Sequence, residues 1–276
     1  MRITEGKELL ELKENTFYGE IPELINSNIY FHGKNNILAC EKGVTLKNSR
    51  IDFHFSNSII YLSKNKNYYF VNIAVSKDSV CFIGQNNYFN GTTNIIASEA
   101  KNIVIGSDCL FSYDVVIRTS DAHGIYSTKT NKRLNYAKSI FIGDHVWFGQ
   151  NTIVFKGTRI HSGSIIGAGS VLSNKIVPSN VTFAGNPASL VSEDTFWIPN
   201  STHRWSDEEF IKMEEYSNPI FIYEQDLLSF NFDEIDEYFS KSEIEEVLGY
   251  IKANFTHYIK NDSFKNFVDL KFFDEN

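Results

Sequence analysis

The chain of 276 residues is 42% hydrophobic with a net charge of -8, enough for one large domain or a domain with an appendage. No apolar run approaches the roughly 18 residues of a membrane span, and the opening "MRITEGKELLELKENTF" lacks the apolar centre of a secretory signal. Cys40, Cys81 and Cys109 stand far apart without metal-ligand or redox spacing; they read as buried thiols of a reducing compartment, and a cytoplasmic location is expected.

Residues 1–27 hold "GKELLELK", a short capping helix or an edge strand, and are expected to form an N-terminal cap. From residue 28 to 80 the chain alternates apolar clusters such as "NSIIYL" and "YYFVNIAV" with Asn, Ser and Lys, as in irregular coils. A stricter rhythm follows. Ile83, Phe89 and Ile95 fall six residues apart, as do Ile105, Phe111 and Ile117. Ile142, Phe148, Val154, Ile160, Ile166 and Leu172 keep the same interval, and four residues after each come Val146, Thr152, Thr158, Ser164, Ser170 and Ile176. Six residues advance an α-helix by about 600°, which scatters these side chains around its axis. A strand has period two, so the same six keep them on one face. With Gly and Asn recurring where turns are needed, the pattern predicts a mainly β fold, a hexapeptide-repeat parallel β-helix over 28–191.

Between Ile117 and Ile142 the rhythm breaks at "RTSDAHGIYSTKTNKRLNYAKSIF", which a solenoid accommodates as a protruding loop over 119–140. From Asp121 to Ile140 this loop holds four basic residues against one acid, a pattern that fits either an anionic ligand or a solvated basic loop. His123 lies there, two residues after Asp121 and beside Gly124; an imidazole that titrates near neutrality suits a general base. His145 and His161 fall inside regular hexads and read as coil-surface residues.

Charge changes sign near Val191. Residues 1–190 carry 19 Lys+Arg against 14 Asp+Glu, whereas residues 191–276 carry 7 against 20. Residues 192–276 are therefore expected to form an acidic, mostly helical C-terminal extension that could cover the open end of the solenoid. Ser206 and Glu209, then Ser242 and Glu245, have capping-box spacing, and Ile244, Val247, Leu248 and Ile251 recur at helical intervals.

The run "IGDHVWFGQNTIVFKGTRIHSGSIIGAGSVLSNKIVPSNVTFAGNPASLV", preceded by "TSDAHGIYSTKTNKRLN", resembles the acetyl-CoA-dependent hexapeptide-repeat acetyltransferases, and among them the bacterial sialic acid and polysialic acid O-acetyltransferases. The resemblance covers about residues 103–191. It implies a left-handed parallel β-helix and a homotrimer with active sites at subunit interfaces. It further implies transfer of acetyl from acetyl-CoA to a hydroxyl of a sialic-acid-containing surface glycan. His123 matches the family's general base. Trp147 matches a tryptophan beside the thioester whose backbone N–H can donate to the oxyanion. Gly149, Gly167, Ala168, Ser173, Asn186 and Pro187 match the coenzyme A groove, where small residues let the pantetheine lie close to the backbone, and Lys175 could reach a phosphate. Two departures bear on those phosphate contacts: Ser173-Asn174 stands where the family often has Thr-Lys, and Ser189 replaces a lysine after "AGNPA". Arg118, Tyr126, Lys129, Lys132 and Arg133 are the residues expected at the acceptor, the cations facing its carboxylate. Asp121 or a backbone carbonyl could orient the imidazole.

Three other readings stay open: an acetyltransferase for another sugar, amino sugar or xenobiotic; a three-histidine metalloenzyme; and a non-catalytic solenoid scaffold. The matched coils show no three-histidine arrangement, so no metal is expected. Nucleic acid is not an expected partner.

Overall fold

The computed structural model describes residues 1–223 and 232–255. Each hexad of the regular region forms one short strand and a turn, and three hexads complete a coil. Parallel pairing between successive coils builds three faces of a solenoid, two of them eight-stranded sheets and the third a six-stranded sheet that begins at Tyr88–Phe89. Face A contains one inward column, Ile29, Ile51, Ile73, Ile95, Ile117, Val154 and Leu172, each paired with the next. Face B contributes Cys40, Leu62, Ile83, Ile105, Ile142, Ile160 and Val177. Face C contributes Phe89, Phe111, Phe148, Ile166 and Phe183, and its first three rings stack at 4.9 and 5.0 Å. These columns form the core, and burial of each large aliphatic or aromatic side chain favours folding by roughly 1.5–3 kcal/mol.

The six-residue interval slips once. Ile160 pairs with Val177, so Ile176 is 58% exposed and its neighbour turns inward. The parallel ladder also begins at Thr16–Gly19, ahead of the boundary expected at residue 28, and "GKELLE" forms a 3-10 turn before it.

The corner between faces A and B absorbs nearly all the variation in coil length. From the inward residue on face A to its counterpart on face B, the chain takes 11 residues in the first two coils, Ile29 to Cys40 and Ile51 to Leu62. It takes 10 in the next two, Ile73 to Ile83 and Ile95 to Ile105, and 25 from Ile117 to Ile142. From Val154 to Ile160 it takes six. The long loop is thus the largest expansion of a corner that every earlier coil also widens.

Face B is covered on its outer side. Helix α1 spans Asp207–Lys212, α2 Phe232–Lys241 and α3 Ile244–Asn254. Phe232, Ile235, Phe239, Ile244, Val247, Leu248 and Ile251 pack with Ile37, Ala39, Ile59, Tyr61, Val80, Phe82, Val104 and Phe141. Helices α2 and α3 therefore lie along the side of the solenoid. A strand buried on both faces needs a continuous apolar run, which is why "NSIIYL" shows no six-residue rhythm. The Asp236 carboxylate pins α2 to the A–B corner, accepting from Asn102 Nδ2 (2.7 Å), Lys101 Nζ (3.1 Å) and Ser139 Oγ. Arg159 pairs with Asp233 beside it. Ser206 and Glu209 close the capping box of α1, whereas that of α3 uses Glu243 and Glu246, one residue beyond the pair expected from spacing.

His145 and His161 lie beneath this extension, not on an open coil surface. His145 is 1% exposed at φ +54°, stacked between Trp197 (centroids 4.0 Å) and Phe221 (4.3 Å). Its Nε2 lies 3.0 Å from the Trp197 carbonyl, and Trp197 Nε1 donates back to the His145 carbonyl at 2.9 Å. His161 meets the edge of Phe232 at 5.9 Å. Burial holds both imidazoles below their ordinary range, aided at His161 by the Arg159 charge.

Two outcomes are expected. Ile251→Ala, which opens a cavity under face B, lowers stability by about 2–5 kcal/mol in chemical denaturation. Both imidazoles are depressed on folding, so the unfolded chain binds more protons below about pH 6.5. Stability is therefore complete above that value and falls as pH drops through it. His145→Asn, which keeps the left-handed backbone, reduces that slope of denaturation midpoint against pH.

Candidate active site

The 119–139 loop is held by its own turn and by a polar hub at its base. Ser127 N donates to Lys132 O and Leu134 N to Ile125 O, which folds the loop into a two-stranded arm. At the base, Asn135 Nδ2 donates to the His123 carbonyl at 2.7 Å and to Asp121 Oδ2 at 2.8 Å. Asn135 Oδ1 accepts from Ile125 N at 2.7 Å. A single buried amide thus grips the chain on both sides of His123. Lys156 pairs with Asp121 and, with the Asn135 bond, holds that carboxyl below the usual carboxylate range. Ser120 Oγ and Arg133 do the same for Glu99, with Arg133 at 2.7 Å.

His123 is exposed, and its imidazole makes no hydrogen bond among the described residues. Asp121 Oδ2 is engaged by Lys156 and Asn135, and no hydrogen bond joins its carboxylate to the His123 ring among the described residues. Of the residues expected at an acceptor, Lys129, Lys132 and Tyr126 are exposed. Arg133 is committed to Glu99 and lies over the Tyr136 ring at 5.3 Å, while Arg118 Nε donates to Ser120 O at 2.8 Å. Both arginines therefore serve to hold the loop. Nothing in the sequence singles out Lys156 or Asn135: lysine and asparagine recur throughout the chain, and only the fold brings them under the loop.

Trp147 opens a strand of face C, 39% exposed and 6.0 Å from Trp197. Its backbone N–H donates to the Ser164 carbonyl of the next coil at 3.0 Å. The inter-coil ladder thus engages the donor expected to serve an oxyanion, in a direction along the solenoid.

The positions expected to hold coenzyme A divide between two corners. Gly149, Gly167 and Ala168, with Asn186 and Pro187, occupy the C–A corner of the last coils. A Cβ on Gly149 would lie 2.5 Å from Ala168 N, and one on Gly167 would lie 2.8 Å from the Ala184 Cβ, so close coil stacking requires glycine at both places. Ser173 and Lys175 lie on the A–B corner, the one from which the loop emerges. There Lys138 Nζ donates to Asn174 Oδ1 at 2.7 Å. Face A, with half-buried Ile153, Phe155 and Val171, separates the two groups. Within one copy, then, the loop with His123 leaves the A–B corner, whereas the Trp147 strand runs directly into the glycine corner on the other side of face A.

No family model matches the chain. It is 38% identical over 125 residues to a polysialic acid O-acetyltransferase of Escherichia coli O1:K1 / APEC, covering 45% of this chain and 40% of the relative. It is 38% identical over 107 residues to a polysialic acid O-acetyltransferase of Neisseria meningitidis, covering 39% and 50%. These alignments thus span half or less of the curated relatives' length. The crystal structure of the polySia-specific acetyltransferase NeuO superposes with a TM-score of 0.61 at 31% identity, over 72% of this chain and 93% of that one. With three parallel faces built from hexads and a matching solved structure over most of its length, the chain belongs to the hexapeptide-repeat acetyltransferases, in the group of the polysialic acid O-acetyltransferases.

Proposed function

We propose that the protein transfers acetyl from acetyl-CoA to a hydroxyl of a sialic-acid-containing glycan, with His123 as general base. The observation that carries this reading is the Asn135 clamp, which fixes the backbone at His123 and at Ile125 while leaving the imidazole exposed. A base must be placed accurately yet reach its substrate, and such a clamp meets both needs. The imidazole takes the hydroxyl proton as the acceptor oxygen attacks the thioester carbonyl. The tetrahedral adduct then expels the coenzyme A thiolate, which receives the proton from the imidazolium.

Acetyl-CoA is proposed to lie across face A, between the glycine corner and Ser173 and Lys175. Trp147 contributes its indole as an apolar wall, since its N–H is engaged. The exposed cations Lys129 and Lys132 face the acceptor carboxylate, and Tyr126 offers an exposed ring beside them. A site that uses both the loop and Trp147 draws on separate corners, which supports assembly from more than one copy, as in the trimer that the resemblance implies. Exposed Ile125, Leu134 and Tyr136 on the loop give it an apolar surface for that contact. No helix among the described residues is long and apolar enough to cross a membrane, and activated acetyl is a cytoplasmic donor, so action in the cytoplasm is part of the proposal.

Incubation with acetyl-CoA and oligosialic acid, followed by mass spectrometry, is expected to show an acetyl that mild base removes. His123→Ala lowers its formation by at least about 100-fold while coenzyme A binding persists. Acetylation of other sugars alone would discard the sialic acid acceptor, and absence of coenzyme A binding would discard the enzyme. Asn135→Ala lowers activity about tenfold and raises hydrogen exchange at the Ile125 amide by a similar factor, as loss of a buried bond predicts.

A further inference from the structure

Far along the chain from the loop, the first coils bring two imidazoles and a carboxylate together on face A. Phe31 and Phe53 are paired inward residues of consecutive coils, so His32 and His54, each the next residue, sit one above the other. Their rings stack with centroids 5.9 Å apart and planes 19° apart. Asp52 lies beside them, its Oδ1 3.7 Å from His32 Nε2. One candidate donor atom from each of the three residues lies within 4.8 Å of the other two.

Asp52 is buried, and Arg50 grips both carboxylate oxygens, through Nε to Oδ2 and NH2 to Oδ1 (3.0 Å), so the carboxylate is fixed before anything binds. Both imidazoles are exposed, and neither makes a hydrogen bond among the described residues. Arg50 neutralises the carboxylate, which leaves the two imidazole nitrogens as the principal attraction. A donor set of two nitrogens and one oxygen suits zinc and its neighbours and not calcium or magnesium, which take oxygen.

We propose that His32, Asp52 and His54 form a binding site for a divalent transition-metal ion of the zinc class. Water would complete the coordination. The ion would cross-link the first two full coils near the N-terminal edge of the solenoid, separate from acetyl transfer. Because it binds only the folded arrangement, it would raise the unfolding temperature progressively with the free metal concentration.

The test uses the full-length, untagged, metal-stripped protein titrated with zinc by calorimetry, with thermal unfolding in parallel. One equivalent of zinc is expected to bind and to raise the unfolding temperature. His32→Ala and His54→Ala, both at exposed side chains, each weaken binding at least tenfold and abolish the thermal shift, whereas His203→Ala leaves both unchanged. Zinc binding that survives both variants, or no binding to the parent protein, overturns the proposal.

Discussion

Each coil of the solenoid satisfies its backbone through hydrogen bonds to the coils on either side, and this fixes where every side chain can point. A residue faces either the interior column or the outside, and its neighbour one coil away faces the same direction. That register aligns Ile117 with Val154 and Leu172, and Phe111 with Phe148. It also engages the backbone N–H of Trp147 with Ser164. Chemistry on such a scaffold must come from what the register leaves over: outward side chains, corners and insertions.

The A–B corner is where insertions collect. Its turn tolerates extra residues because it lies outside the columns, and the chain lengthens it modestly four times before expanding it into the His123 arm. Held by Asn135, Lys156 and Arg133, that arm is as well fixed at its base as a strand and exposed at its tip. Two of the cations expected to recognise an anionic acceptor, Arg118 and Arg133, instead keep the arm in shape. The electrostatics available to an acceptor are thus narrower than the basic composition of the loop implies.

The regular coils are legible in the sequence as far as Leu172, because a single column residue every six positions leaves a periodic trace. The early coils are less so. Runs such as Ile59–Leu62 are apolar at every position, since one side faces the interior column and the other faces α2 and α3. A pattern set by two different partners shows no simple period. For the same reason the acidic extension reveals its helices but not its place: capping spacing and apolar intervals mark the helices, whereas the surface they cover is written in the residues of face B. His145 reads as a coil-surface residue because its burial depends on Trp197 and Phe221, distant in sequence. Asn135 illustrates the remaining gap, as a residue type abundant in turns becomes a clamp only through contacts the fold creates.

The helices along face B alter how the molecule comes into being. A bare solenoid can grow one coil at a time, each new coil templated by the last. Here the residues that cover Ile37, Ile59, Val80, Val104 and Phe141 all lie beyond residue 231. During synthesis the coils therefore emerge from the ribosome with a long apolar face uncovered, and the segment that shields it follows all of them. Arrival of α2 and α3, more than completion of any coil, is the event that covers this face, and a nascent chain stalled before α2 would present a sticky stripe to whatever lies nearby.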